Sequence, residues 1–71
     1  MEGTVKFCNQ TRGFGFVQIS DGNGFVQEYF FHCSNAANFE SLRSGDYVEF
    51  YLDDDPRHAD QLIAVDVRIE Q

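Results

Sequence analysis

Arg12-Gly13-Phe14-Gly15-Phe16-Val17 is the stretch whose reading decides the fold. Successive side chains on a strand point to opposite faces, so Phe14 and Phe16 share one side and Val17 takes the other. The same spacing returns in Tyr29-Phe30-Phe31-His32, where Phe30 and His32 share one face and Tyr29 and Phe31 the opposite one. Between the two segments lies Asp21-Gly22-Asn23-Gly24, a turn sequence rich in residues that tolerate positive φ. The two segments therefore read as the arms of an antiparallel hairpin, Phe14 to Ser20 and Phe25 to His32.

A sheet face with Phe14, Phe16, Phe30 and His32 side by side is costly to leave in water. It is sensible if flat ligands stack there, and stacked bases contribute roughly 1–3 kcal/mol each. The first segment fits the glycine-aromatic pattern of RNA-binding strands. Gly15 is expected to leave the sheet open to a flat ligand.

Outward from the hairpin, period-two patterning continues. Thr4 to Asn9 reads as a strand with Val5 and Lys6 on opposite faces. Ser34 to Arg43 lacks alternation and suits a short helical turn plus loop. After the turn Ser44-Gly45-Asp46, Tyr47 to Leu52 forms a strand with Val48, Phe50 and Leu52 inward. Asp53 to Asp60 reads as an acidic loop broken by Pro56, and Leu62 to Ile69 as a last strand with Ile63, Val65, Val67 and Ile69 alternating. Five short antiparallel strands in a single 71-residue domain suggest an all-β barrel of the oligonucleotide-binding (OB) fold, whose closure hides sheet edges. A βαββαβ RNA-recognition motif is not expected, because Arg12 comes too early to follow its first strand, helix and strand.

The net charge is -7, from twelve acidic and five basic residues, which argues against strong non-specific attachment to a phosphate backbone. Local field can differ in sign from net charge, and Lys6 and Arg12 flank the aromatic segment. No stretch approaches the roughly 20 apolar residues of a membrane span, and no signal peptide is evident. A cytoplasmic protein with Cys8 and Cys33 as free thiols is expected.

Gly3-Thr4-Val5-Lys6-Phe7-Cys8-Asn9, Arg12 to Val17, and Tyr29-Phe30-Phe31-His32-Cys33-Ser34 together resemble the cold-shock domain family, with its G-x-V-K-W-F-N, K-G-F-G-F-I and V-F-V-H-F-S segments. The resemblance implies a five-stranded OB barrel that binds single-stranded RNA and DNA, leaning to pyrimidines, with an RNA-chaperone role. It implies Phe7, Phe14, Phe16, Phe30 and His32 as stacking residues, Phe39 as a further aromatic in the following loop, and Lys6 and Arg12 as phosphate contacts. Phe7 stands where the family has Trp, and Cys8 and Cys33 where it has Phe, so two rings of the platform are expected to be missing. Together with the acidic charge, this also fits a diverged barrel whose face binds a protein partner.

Other chemistries find little support. Cys8, His32, Cys33 and His58 include metal-ligand types, but His32 and Cys33 are adjacent and a C-x-x-C spacing is lacking. Asp53-Asp54-Asp55 lacks the calcium-loop pattern. Nothing evident orients His32 as a base for Cys33, and no glycine-rich loop opens a helix to cradle phosphates. No metal, cofactor, small-molecule substrate or enzymatic activity is expected.

Overall fold

The structure is a computed structural model describing residues 1–70. It is all-β: β1 (Glu2–Asn9), β2 (Phe14–Ser20), β3 (Val26–His32), β4 (Tyr47–Asp55) and β5 (His58–Ile69), with two 3₁₀ turns, Cys33–Asn35 and Phe39–Ser41, between β3 and β4. The strands form one antiparallel sheet in the order β3-β2-β1-β4-β5. Its two outer strands, β3 and β5, come into contact, so the sheet curls into a barrel of the OB type.

The β2–β3 hairpin forms as its turn sequence predicts. Asp21 Oδ1 accepts the Asn23 N–H at 2.8 Å and the Phe25 N–H at 3.3 Å, and Gly22 and Gly24 hold φ of 84° and 93°. Inside the barrel, Val5, Val17, Phe31, Leu42, Val48, Phe50, Ala64 and Val67 are essentially sealed from water. Burying each large side chain contributes roughly 1.5–3 kcal/mol.

Two bulges change which residues face this core. In β1, Val5 pairs with Val17 but Phe7 pairs with Phe16, so Lys6 is an extra residue. Such an insertion breaks the alternation at that point: Lys6 and Phe7 are exposed, and Cys8 turns to pack on the core. In β5, Asp66 adopts φ 54°, and the register against β4 shifts between Tyr51↔Val65 and Glu49↔Arg68. Consequently the expected alternation of Ile63, Val65, Val67 and Ile69 is not kept. Ala64 and Val67 fill the core, and Ile69 lies exposed.

The acidic segment is also different from expectation. Asp53 to Asp55 belong to β4 and His58 opens β5, leaving Pro56 and Arg57 as a tight turn. Strand pairing uses only backbone groups, so the aspartates can project into water while their peptides stay in the ladder. The turn is closed by Asp55, whose Oδ1 accepts the Arg57 N–H at 2.8 Å and whose Oδ2 lies 3.2 Å from His58 Nδ1.

Candidate nucleic-acid interface

The ladder sets the aromatic face in two rows. Phe7, Phe16 and Phe30 are neighbours across β1, β2 and β3, and Asn9, Phe14 and His32 form the next row. The rings touch: Phe7–Phe16 at 5.5 Å between centroids, Phe14–Phe30 at 5.7 Å and nearly parallel, Phe16–Phe30 at 5.8 Å and Phe7–Phe14 at 5.9 Å. Phe14, Phe16 and Phe30 are half-buried and Phe7 is 39% exposed. Edge-to-face contacts hold each ring in place, at about 0.5–1.5 kcal/mol per pair, while leaving π-surface open.

His32 is fixed at the end of this face. Its Nδ1 accepts the Ser34 backbone N–H at 3.1 Å and lies 2.9 Å from Ser34 Oγ. With Nδ1 accepting, the neutral ring carries its proton on Nε2, which leaves that N–H free for a ligand.

Lys6 lies on the same side, and its ammonium is paired with the Glu28 carboxylate. Arg12 sits in the β1–β2 turn, where its N–H donates to Asn9 Oδ1 at 2.9 Å. Its side chain is exposed and makes no ion pair among the described residues.

Three expectations for this face need correction. Phe39 is 9% exposed and packs edge-to-face on Phe31 at 6.1 Å, so it is a core ring rather than a loop platform. Cys8 and Cys33 pack against the core, so neither takes a ring's place on the outer face. Burial pushes the Cys8 thiol above its usual pKa, against the opposing pull of Arg43 and with a smaller upward push from Asp46. Gly15 is buried on the inner side, under Phe31, so its missing side chain makes room for the core and not for a ligand.

Beyond Phe16, Phe30 and His32 the face runs into a groove of about 610 Å³, walled on the far side by Asp55, Pro56, Arg57, His58 and Gln61 and floored by Ile63. Sequence reading missed this wall, because its residues lie in a segment read as a solvated acidic loop. The only available signal was the cation Arg57 and the ring of His58 within that acidic run. Among the described residues, no group of three or more His, Cys, Asp or Glu is placed to hold a metal ion, and no helix is long and apolar enough to cross a membrane.

Residues 1–69 match the profile of the family described as the 'cold-shock' DNA-binding domain. The chain belongs to the cold-shock domain family. It is 38% identical over 56 residues to cold shock-like protein CspC of Buchnera aphidicola, covering 76% of this chain and 77% of the relative. It is 36% identical over 56 residues to cold shock-like protein CspC of Escherichia coli K12, with 76% and 77% coverage. To cold shock-like protein CspC of Bacillus cereus it is 37% identical over 59 residues, with 80% and 85% coverage. Cold-shock domains are nucleic-acid-binding modules, and the aromatic face lies within the matched residues.

Proposed function

We propose that this protein binds single-stranded RNA and DNA by stacking bases on Phe7, Phe14, Phe16, Phe30 and His32. The observation that carries the reading is the mutual contact of four rings on the outer side of a sheet whose inner side already holds the core. Stacking is tolerant of sequence, so selectivity is weak and leans to pyrimidines. Arg12, and Lys6 when Glu28 releases it, meet phosphates. A weak, sequence-tolerant binder of this size suits an RNA chaperone in the cytoplasm. The competing reading, a protein-interaction module, rests on the net charge of -7 and on Cys8 and Cys33 standing where the family has Phe.

Anisotropy of labelled U-rich and T-rich oligonucleotides at low salt tests the proposal, with wild type and the Phe14→Ala/Phe30→Ala variant. The label belongs on the oligonucleotide because the chain has no Trp. The expected result is binding that the folded variant loses. Absence of binding by folded wild type overturns the reading and turns attention to protein partners. With two phosphates neutralised, the log–log salt slope is expected near -1.4, about 0.7 for each single-strand phosphate.

A further inference from the structure

The chain has five cations, and three are engaged elsewhere. Lys6 is paired with Glu28 and Arg68 with Asp66. The Arg43 guanidinium donates to the carbonyls of Glu40 and Leu42 at 3.0 and 2.9 Å. Among the described residues Arg12 and Arg57 are left, and Arg57 lies in the groove that continues the aromatic face. Its charge there is opposed by Asp55 of the same turn. While the histidines are neutral, the groove is therefore close to electrically balanced.

The chain also has only two histidines, and both line this groove, His32 from the end of β3 and His58 from the start of β5. Imidazole is the side chain whose charge ordinarily changes between about pH 5 and 8. The charged and titratable groups lining the groove are His32, Asp55, Arg57 and His58; Glu28 lines an adjoining recess with Asp55, Phe16 and Phe30. Asp55 takes the Nδ1 side of His58, and Ser34 takes the Nδ1 side of His32. Each ring thus has Nε2 left over for a ligand. Protonation of His58 would convert a balanced groove into one with a surplus positive charge, whereas His32, whose Nδ1 lone pair is taken by the Ser34 N–H, serves as a neutral Nε2–H donor.

We infer that the groove between the aromatic face and the β4–β5 turn is a proton-gated phosphate subsite, in which the charged His58 ring joins Arg57 and the neutral His32 Nε2–H in holding a phosphodiester of the bound strand. The inference rests on the single-strand-binding reading above and extends the interface beyond the rings. A polyanion entering the groove favours the charged form of the His58 imidazole, so binding takes up a proton and affinity rises as pH falls. Each newly neutralised phosphate also steepens the salt slope by about 0.7.

The test is anisotropy with a labelled oligothymidylate, whose base has no group titrating in this window, at fixed ionic strength from about pH 8 to about pH 5.5. Wild type is expected to bind several-fold more tightly at the acid end, with a steeper salt slope. His58→Gln is expected to lose at least half of that ratio, and His58→Lys to bind tightly with a flattened pH response. Wild-type affinity that ignores pH, or a His58→Gln variant that keeps the full ratio, overturns the subsite and leaves the stacking face standing. Failure of folded wild type to bind at any pH overturns both. Because the acidification acts equally on the rest of the acidic chain in wild type and variant, the difference between them isolates the groove.

Discussion

The Phe31 ring occupies the space that a side chain at position 15 would need. A Cβ built on Gly15 lies 2.7 Å from Phe31 Cζ and 2.7 Å from the Phe7 carbonyl oxygen. The second neighbour is backbone and cannot swing aside. Gly15→Ala is expected to destabilise the fold by about 1–3 kcal/mol, as overpacking does. Urea unfolding followed by circular dichroism reads this directly. An unchanged midpoint would mean the barrel relaxes around the methyl.

Phe16 and Phe39 are expected to part company under substitution. Phe16→Ala removes a half-exposed ring and is expected to weaken oligonucleotide binding by about 1–3 kcal/mol with the fold retained. Phe39→Ala empties part of the core against Phe31 and is expected to lower stability by about 3–5 kcal/mol. Measuring both variants for stability and binding separates platform from core. A Phe39→Ala protein of wild-type stability would return that residue to the ligand face.

Glu28 holds Lys6 in an exposed ion pair, and such pairs contribute only about 0–1 kcal/mol to stability. Glu28→Gln is therefore expected to leave unfolding almost unchanged while freeing an ammonium beside Phe7 and Phe16. Oligonucleotide affinity should rise, because Lys6 no longer has to leave Glu28 to reach a phosphate, while the salt slope stays near about -1.4. A variant with wild-type affinity would show that Lys6 meets no phosphate.

The Glu70 carboxyl is pushed up from its ordinary pKa, chiefly through desolvation and then through the neighbouring charge of Glu2, with Glu49 adding to it. A carboxyl whose folded pKa is raised destabilises the native state when ionised, and that cost vanishes below its unfolded pKa. Glu70→Gln is expected to raise Tm at neutral pH, with the gain shrinking as pH falls through the folded and then the unfolded pKa of Glu70. A gain that persists in acid would have another origin.

Asp55 behaves in the opposite sense. The Arg57 backbone N–H holds its carboxyl below the ordinary value; desolvation opposes this, and His58 assists. Its contribution to stability is present above the unfolded pKa of an aspartate and is lost as pH falls through the lower folded value. Asp55→Asn is accordingly expected to lower Tm near neutrality, and the difference from wild type should close in acid.

The sheet was legible in the sequence wherever alternation ran unbroken. Phe14 to Ser20 and the turn at Asp21 to Gly24 needed no more than period two and turn chemistry. That same alternation, carried through strictly, places Gly15 inward beneath the sheet and Cys33 opposite His32. What it could not supply was the bulge at Lys6, because an extra residue in β1 is defined by its partner strand. Cys8 was therefore expected on the wrong face, and the Asp66 bulge misled in the same way in β5. The acidic run looked like a loop because charge was taken as a sign of irregular backbone, although hydrated aspartates sit well on an exposed strand. The groove as a whole was illegible for a further reason. Its lining comes from β2, β3, the first 3₁₀ turn and the β4–β5 hairpin, and only the closing of the barrel brings them together.

The Lys6 bulge makes β1 a strand of two phases: Val5 serves the interior in one, and Cys8 in the other. Whether this stretch bulges is thus a functional variable. Were β1 to run straight at the same length, everything beyond Lys6 would turn over, with Phe7 entering the barrel and the Cys8 thiol emerging among the rings. Loss of the extra residue, in contrast, would restore simple alternation and keep Phe7 outside and Cys8 inside. A one-residue gap placed here when related chains are aligned therefore preserves the face, whereas an ungapped match to a chain without the bulge sets inside against outside.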